Sequence, residues 1–94
     1  MNIPEAKLML ARELAKYRSR PFDELLSLMQ QVETHELTGG SGASYQLEFQ
    51  AFWEDPRTRK VLRVAGAIDE GGPGAFSPLT DSFLVTPSGK FVGE

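Results

Sequence analysis

The residues of this chain best suited to chemistry are three carboxylates, Asp69, Glu70 and Asp81, and the single histidine, His35. Clustered carboxylates bind hard cations, or divide acid and base roles when one is protonated and another ionised. An imidazole titrates near neutrality, but as a general base it needs a positioned partner and a reacting group. The carboxylates flank Gly71-Gly72-Pro73-Gly74 in the run from Ile68 to Phe83. Their spacing lacks the alternating ligands of a twelve-residue calcium loop. The glycines lack the G-x-x-x-x-G-K-[ST] pattern of a phosphate loop, and their acidic neighbours repel phosphate. No cysteine is present, which excludes thiolate nucleophiles and cysteine-based metal sites, and one histidine excludes a histidine-rich centre. A loop-shaping role is simpler. Asp69 accepts amides in an Asx-type turn, the glycines permit positive φ, and Asp81 caps the turn before Phe83. On this reading Asp69, Glu70 and Phe76 belong to a recognition surface rather than an active site.

A second constellation is basic. Arg57, Arg59, Lys60 and Arg63 lie close in sequence to Tyr45 and Trp53, and basic groups beside aromatics suit RNA. Yet Tyr45 and Trp53 share the core-facing parity of their strand, which leaves Phe52 as the exposed aromatic. Formal net charge is −3, and residues 32–94 hold nine acidic against five basic side chains. That balance disfavours nucleic acid. The cations of the first helix, Lys7, Arg12, Lys16, Arg18 and Arg20, read as a solvated face, because the apolar face is needed by the sheet.

The elements that must position these groups are legible from periodicity. Asn2 is placed to cap a helix, with Pro4 in its first turn and Glu5 in the position of a capping box. Ile3, Ala6, Leu10, Leu14 and Tyr17 fall near one face, broadened by Leu8 and Met9, and the helix ends near Arg18. A second helix starts at Ser19 or Arg20, with Pro21 in its first turn and Phe22, Leu25, Leu26 and Met29 on its buried side. From Val32 the period changes to two. Strands are predicted at 32–37, 44–53, 61–68 and 82–86, the second with Tyr45, Leu47, Phe49, Ala51 and Trp53 inward. Pro87-Ser88-Gly89 is a turn leading to Lys90-Phe91-Val92.

These features predict one α+β domain: an N-terminal helix pair packed on one face of a four-stranded antiparallel meander. No stretch after Met1-Asn2-Ile3-Pro4-Glu5 resembles a signal peptide, and no apolar run reaches the ~18 residues of a membrane span. The expected location is the cytoplasm. The expected function is non-enzymatic protein binding or self-association through the sheet edge and the long Gly/Pro connection, with no cofactor. Its candidate contact residues are Phe52, Arg57, Arg59, Arg63, Asp69, Glu70 and Phe76. The alternatives are a metal-dependent or acid–base enzyme centred on Asp69, Glu70 and Asp81, and an RNA-binding module using the basic hairpin.

Overall fold

In the first helix, α1 (Ile3–Arg18), the side chain of Asn2 accepts the Glu5 amide at 3.1 Å, as the sequence predicts. Ala6, Leu10, Leu14 and Tyr17 recur at three- and four-residue spacing and are buried, whereas Ile3 is exposed. The computed structural model describes residues 1–71 and 77–94. The predicted role of Phe76, and most of the Gly/Pro connection, lie outside the described residues.

The second helix, α2 (Phe22–Ser27), is short, and Pro21 rather than Ser19 or Arg20 occupies its N-cap. Beyond Ser27 the turn tightens, with the Met29 amide bonded to the Leu26 carbonyl and that of Gln30 to Ser27, both at 3.1 Å. A three-residue period puts Leu28 rather than Met29 beneath Leu25. Leu28 is accordingly 1% exposed and Met29 40%.

The strands are β1 (Glu33–Thr38), β2 (Ser44–Trp53), β3 (Leu62–Asp69), β4 (Leu79–Val85) and β5 (Phe91–Val92), paired antiparallel in that order. The helices over one face and the meander order follow the sequence reading, but the sheet has five strands, not four. Gly89, at φ +88°, supports a tight turn in which the Thr86 amide bonds to the Lys90 carbonyl at 2.9 Å. Phe91 then pairs with Val85 and sets its ring edge-on to Phe83, 5.7 Å between centroids. A two-residue strand is too short to show a period. Arg18 lies over the same rings, 4.3 Å from Phe91 and 5.3 Å from Phe83, and pairs with Glu94.

β2 alternates as its sequence demands. Tyr45, Leu47, Phe49 and Ala51 are buried, and Ser44, Gln46, Glu48, Gln50 and Phe52 are exposed. Leu62, Val64 and Ile68 from β3 and Phe83 and Val85 from β4 complete the sheet's share of the core. Each such large apolar side chain contributes about 1.5–3 kcal/mol on burial. Helices cover only this face. Among the described residues the other face is open, and its cross-strand rows run Phe52–Arg63–Leu84–Val92 at one end and Glu36–Gln46–Asp69 at the other.

Candidate functional site

β1 pairs with β2 alone among the described residues, so its far edge presents unpaired backbone groups. It is a firm edge, because side chains fasten both its ends to the helix layer. At the turn end, Glu5 of α1 reaches over the β1–β2 hairpin. Its carboxylate accepts the Ser41 amide at 3.0 Å, the Ser41 hydroxyl at 2.7 Å and the Tyr45 hydroxyl at 2.9 Å. Those bonds, Ser41's first, hold Glu5 below the usual carboxylate range. The capping-box position is therefore spent on the hairpin. Gly39 is part of this fit, since a Cβ there would stand 2.2 Å from Glu5 Oε1.

At the other end, the Tyr17 hydroxyl donates to Glu33 Oε1 at 2.8 Å and lies 2.9 Å from His35 Nε2. Tyr17 has one proton to give, and Glu33 takes it, so the Nε2–H of His35 donates to the phenol oxygen. Arg20 grips the Glu33 carboxylate with two nitrogens, at 2.8 and 3.0 Å, and stacks 4.1 Å above the Tyr17 ring. The guanidinium beside it, then the phenol, holds Glu33 below its usual range; burial, then the bond to Glu33, pushes Tyr17 up. The cluster has the residue types of a proton relay, but Tyr17 is 2% exposed and its hydroxyl is fully partnered. It works as a fastening.

Periodicity alone assigned Tyr17 to the core and Arg20 to solvent. The signals for this cluster were a tyrosine, with its polar tip, closing an apolar stripe, and Glu33 and His35 sharing one parity.

The edge is flanked by two hollows, the helix-side one adjoining the Glu5 fastening. On the helix side, an open groove of about 410 Å³ runs between α1 and β1, with Leu8, Met9 and Leu37 as its apolar surface and Arg12 and Glu13 at its rim. Leu8 is 51% exposed there. On the open side, a hollow of about 480 Å³ is bordered by Thr34, Glu36, Gln46, Glu48 and Asp69. Its three carboxylates give that end of the sheet a negative surface.

The sequence-derived candidates are dispersed. Asp69 borders the acidic hollow, where its Oδ1 accepts the Gly71 amide at 2.6 Å in the expected Asx turn. Glu70 stands 3.5 Å from the Met1 amine. Asp81 pairs in register with core-facing Gly66 and borders a hollow against Lys7 of α1, whereas Asp69 pairs with outward-facing Gln46. The two aspartates thus point to opposite faces of the sheet, and among the described residues no three or more metal-ligating side chains, those around the acidic hollow included, are arranged to hold a metal ion. Asp81 also accepts the Ser82 amide at 2.8 Å.

Arg57 and Arg59 remain on the solvated β2–β3 turn, where Asp55 accepts the Arg57 amide at 2.9 Å. Arg63 leaves that group: it pairs with Glu54 and donates to the Ser82 hydroxyl at 2.6 Å. Phe52 is exposed beside it on the open face. No described helix is long and apolar enough to cross a membrane. Comparison of the chain with models of known families, with curated proteins and with solved structures finds no match.

Proposed function

We propose that this chain is a non-enzymatic protein-binding domain that receives an extended segment of its partner along the edge of β1. The observation that carries the reading is a six-residue edge strand, fastened at both ends to the helix layer, unpaired along its outer side among the described residues and flanked by a hollow on each face. An added strand gains affinity from main-chain hydrogen bonds and specificity from side chains that alternate between the two hollows. A pre-ordered edge lowers the entropic cost of that binding. The Gly/Pro connection enters through its anchor, since Asp69 and Gly71 lie beside Gln46 at the border of the acidic hollow. A cytoplasmic location, drawn from the sequence, belongs to the same proposal.

The test is selection of random extended peptides on the immobilised protein, followed by amide hydrogen exchange of the complexes. Protection confined to Glu33–Thr38, abolished by Leu8→Lys, supports the reading. Selected peptides that leave those amides unchanged sink it.

A second reading rests on the open-face row Phe52–Arg63–Leu84–Val92, where Phe52 is 43% exposed. Self-association through that row would make sedimentation concentration-dependent and sensitive to Phe52→Ser.

A further inference from the structure

The two hollows beside β1 differ in chemistry, and the difference specifies a partner. Side chains of an added strand point alternately to the helix side and to the open side. On the helix side, the position opposite Leu37 meets the groove surface of Leu8, Met9 and Leu37. On the open side, the positions opposite Thr34 and Glu36 look across the acidic hollow. Glu36 is the immediate neighbour there. Glu48 sits one strand further in, directly across from Thr34. Strands lie about 4.8 Å apart, so a lysine or arginine stem laid over the short Thr34 side chain spans to Glu48. Asp69, on the next strand, adds to the field without contact.

Resting on the strand-addition reading, we infer that the bound segment carries two basic side chains at alternate positions, opposite Thr34 and Glu36, and an apolar side chain opposite Leu37. Charge also decides against a second copy of this chain as the occupant. Pairing β1 with itself sets two acidic open faces side by side, and like charges on adjacent strands oppose pairing. A basic segment turns that barrier into attraction, and steering by the acidic hollow speeds encounter. The same carboxylates that guard the edge against self-pairing therefore select the partner.

The test uses three fluorescent peptides, Lys-Val-Lys-Val-Lys-Val-Lys, Glu-Val-Glu-Val-Glu-Val-Glu and Lys-Thr-Lys-Thr-Lys-Thr-Lys, with anisotropy for affinity and amide shifts for location. The first is expected to perturb the β1 amides, and Glu36→Lys or Leu8→Lys each to weaken its Kd about tenfold, a difference of about 1.4 kcal/mol. The threonine peptide loses the groove contact and binds about tenfold more weakly. Both substituted positions are exposed or border open hollows, and an unchanged thermal midpoint certifies that each variant is folded.

Equal or tighter binding of the glutamate peptide overturns the inference, as does an unchanged Kd in Glu36→Lys. Equal affinity for the threonine peptide removes its apolar part. Concentration-dependent protection of β1 without peptide makes a second copy the occupant and also overturns it. If peptides from the random selection protect β1 but show no basic preference, this inference falls and the edge-binding function stands. If no peptide of either set reaches β1, both fall.

Discussion

Gly66 of β3 lies directly across from Phe49 of β2, and the Phe49 ring occupies the space a side chain at position 66 would need. A Cβ there would stand 2.5 Å from Phe49 Cε1 and 3.0 Å from the Leu10 methyl of α1. The absent side chain lets the ring tuck under α1 and stack on Tyr17, 4.4 Å between centroids. The glycine in mid-strand thus sets how closely α1 approaches the sheet, and with it the position of the fastening on β1.

Gly66→Ala is therefore expected to destabilise the domain by about 1–3 kcal/mol through overpacking. Urea denaturation measures the loss. A change within 0.5 kcal/mol (about the scatter of neutral surface substitutions) would show that Phe49 can withdraw.

Tyr17→Phe keeps the ring, its stacking on Phe49 and the Arg20 contact, and deletes only the hydroxyl shared by Glu33 and His35. Loss of a hydrogen bond to a charged acceptor is expected to cost about 1–3 kcal/mol. Its signature is local: amide exchange at Glu33–His35 should accelerate more than exchange in β3.

Stability should fall on acidification, and Glu33 should account for part of the slope. Its carboxyl is held low in the folded protein, by Arg20 first and Tyr17 next. A depressed folded pKa contributes stability that is full above the unfolded value, about 4.3, and is lost as pH falls through the lower folded value. Glu33→Gln is thus expected to lower the urea midpoint at about pH 6 while narrowing the gap between about pH 6 and about pH 3. An acid slope identical to the parent's would contradict this. Glu5 and Glu94, also held low, maintain a residual slope in the variant.

Arg59 adopts φ +52° at the end of the β2–β3 turn, a left-handed conformation that a β-carbon disfavours. Arg59→Asn should raise stability by about 0.5–1 kcal/mol, because asparagine tolerates this region. Since the proposed partner occupies β1, peptide affinity should be unchanged. Weakened binding would bring the basic turn back into the site.

Legibility in the sequence followed the length of each pattern. The buried face of α1 and the parity of β2 repeat over three or more periods, and both were readable, as was the meander order. β5 offers a single pair, Phe91 and Val92, and only its contact with Val85 and Phe83 makes it a strand. The β1 edge was foreseeable as an edge, but its two hollows were not. They depend on α1 running beside Leu37 across an open groove, and on Glu36, Glu48 and Asp69 bordering one hollow across three strands from positions up to 33 apart in the chain. Conversely, Asp69 and Asp81 read as one cluster because both flank the Gly/Pro connection in the sequence. The register sets them on opposite faces, a distinction that one residue of parity decides.

The two rims of the sheet are unequal, and this governs how large any assembly can become. β1 presents six residues of outer backbone in one straight run, whereas the opposite rim is stepped: β5, held by Arg18 across Phe91 and Phe83, covers only Leu84 and Val85 of β4 and leaves residues 79–83 without an outer partner among the described residues. Strand-by-strand propagation into a fibre needs a donor rim and an acceptor rim on every unit. On the proposed reading, a strand added to β1 would occupy the straight rim and leave the stepped one, whose outline it does not match. A straight rim and a stepped one do not stack in register, so the proposed strand addition favours finite complexes over fibres.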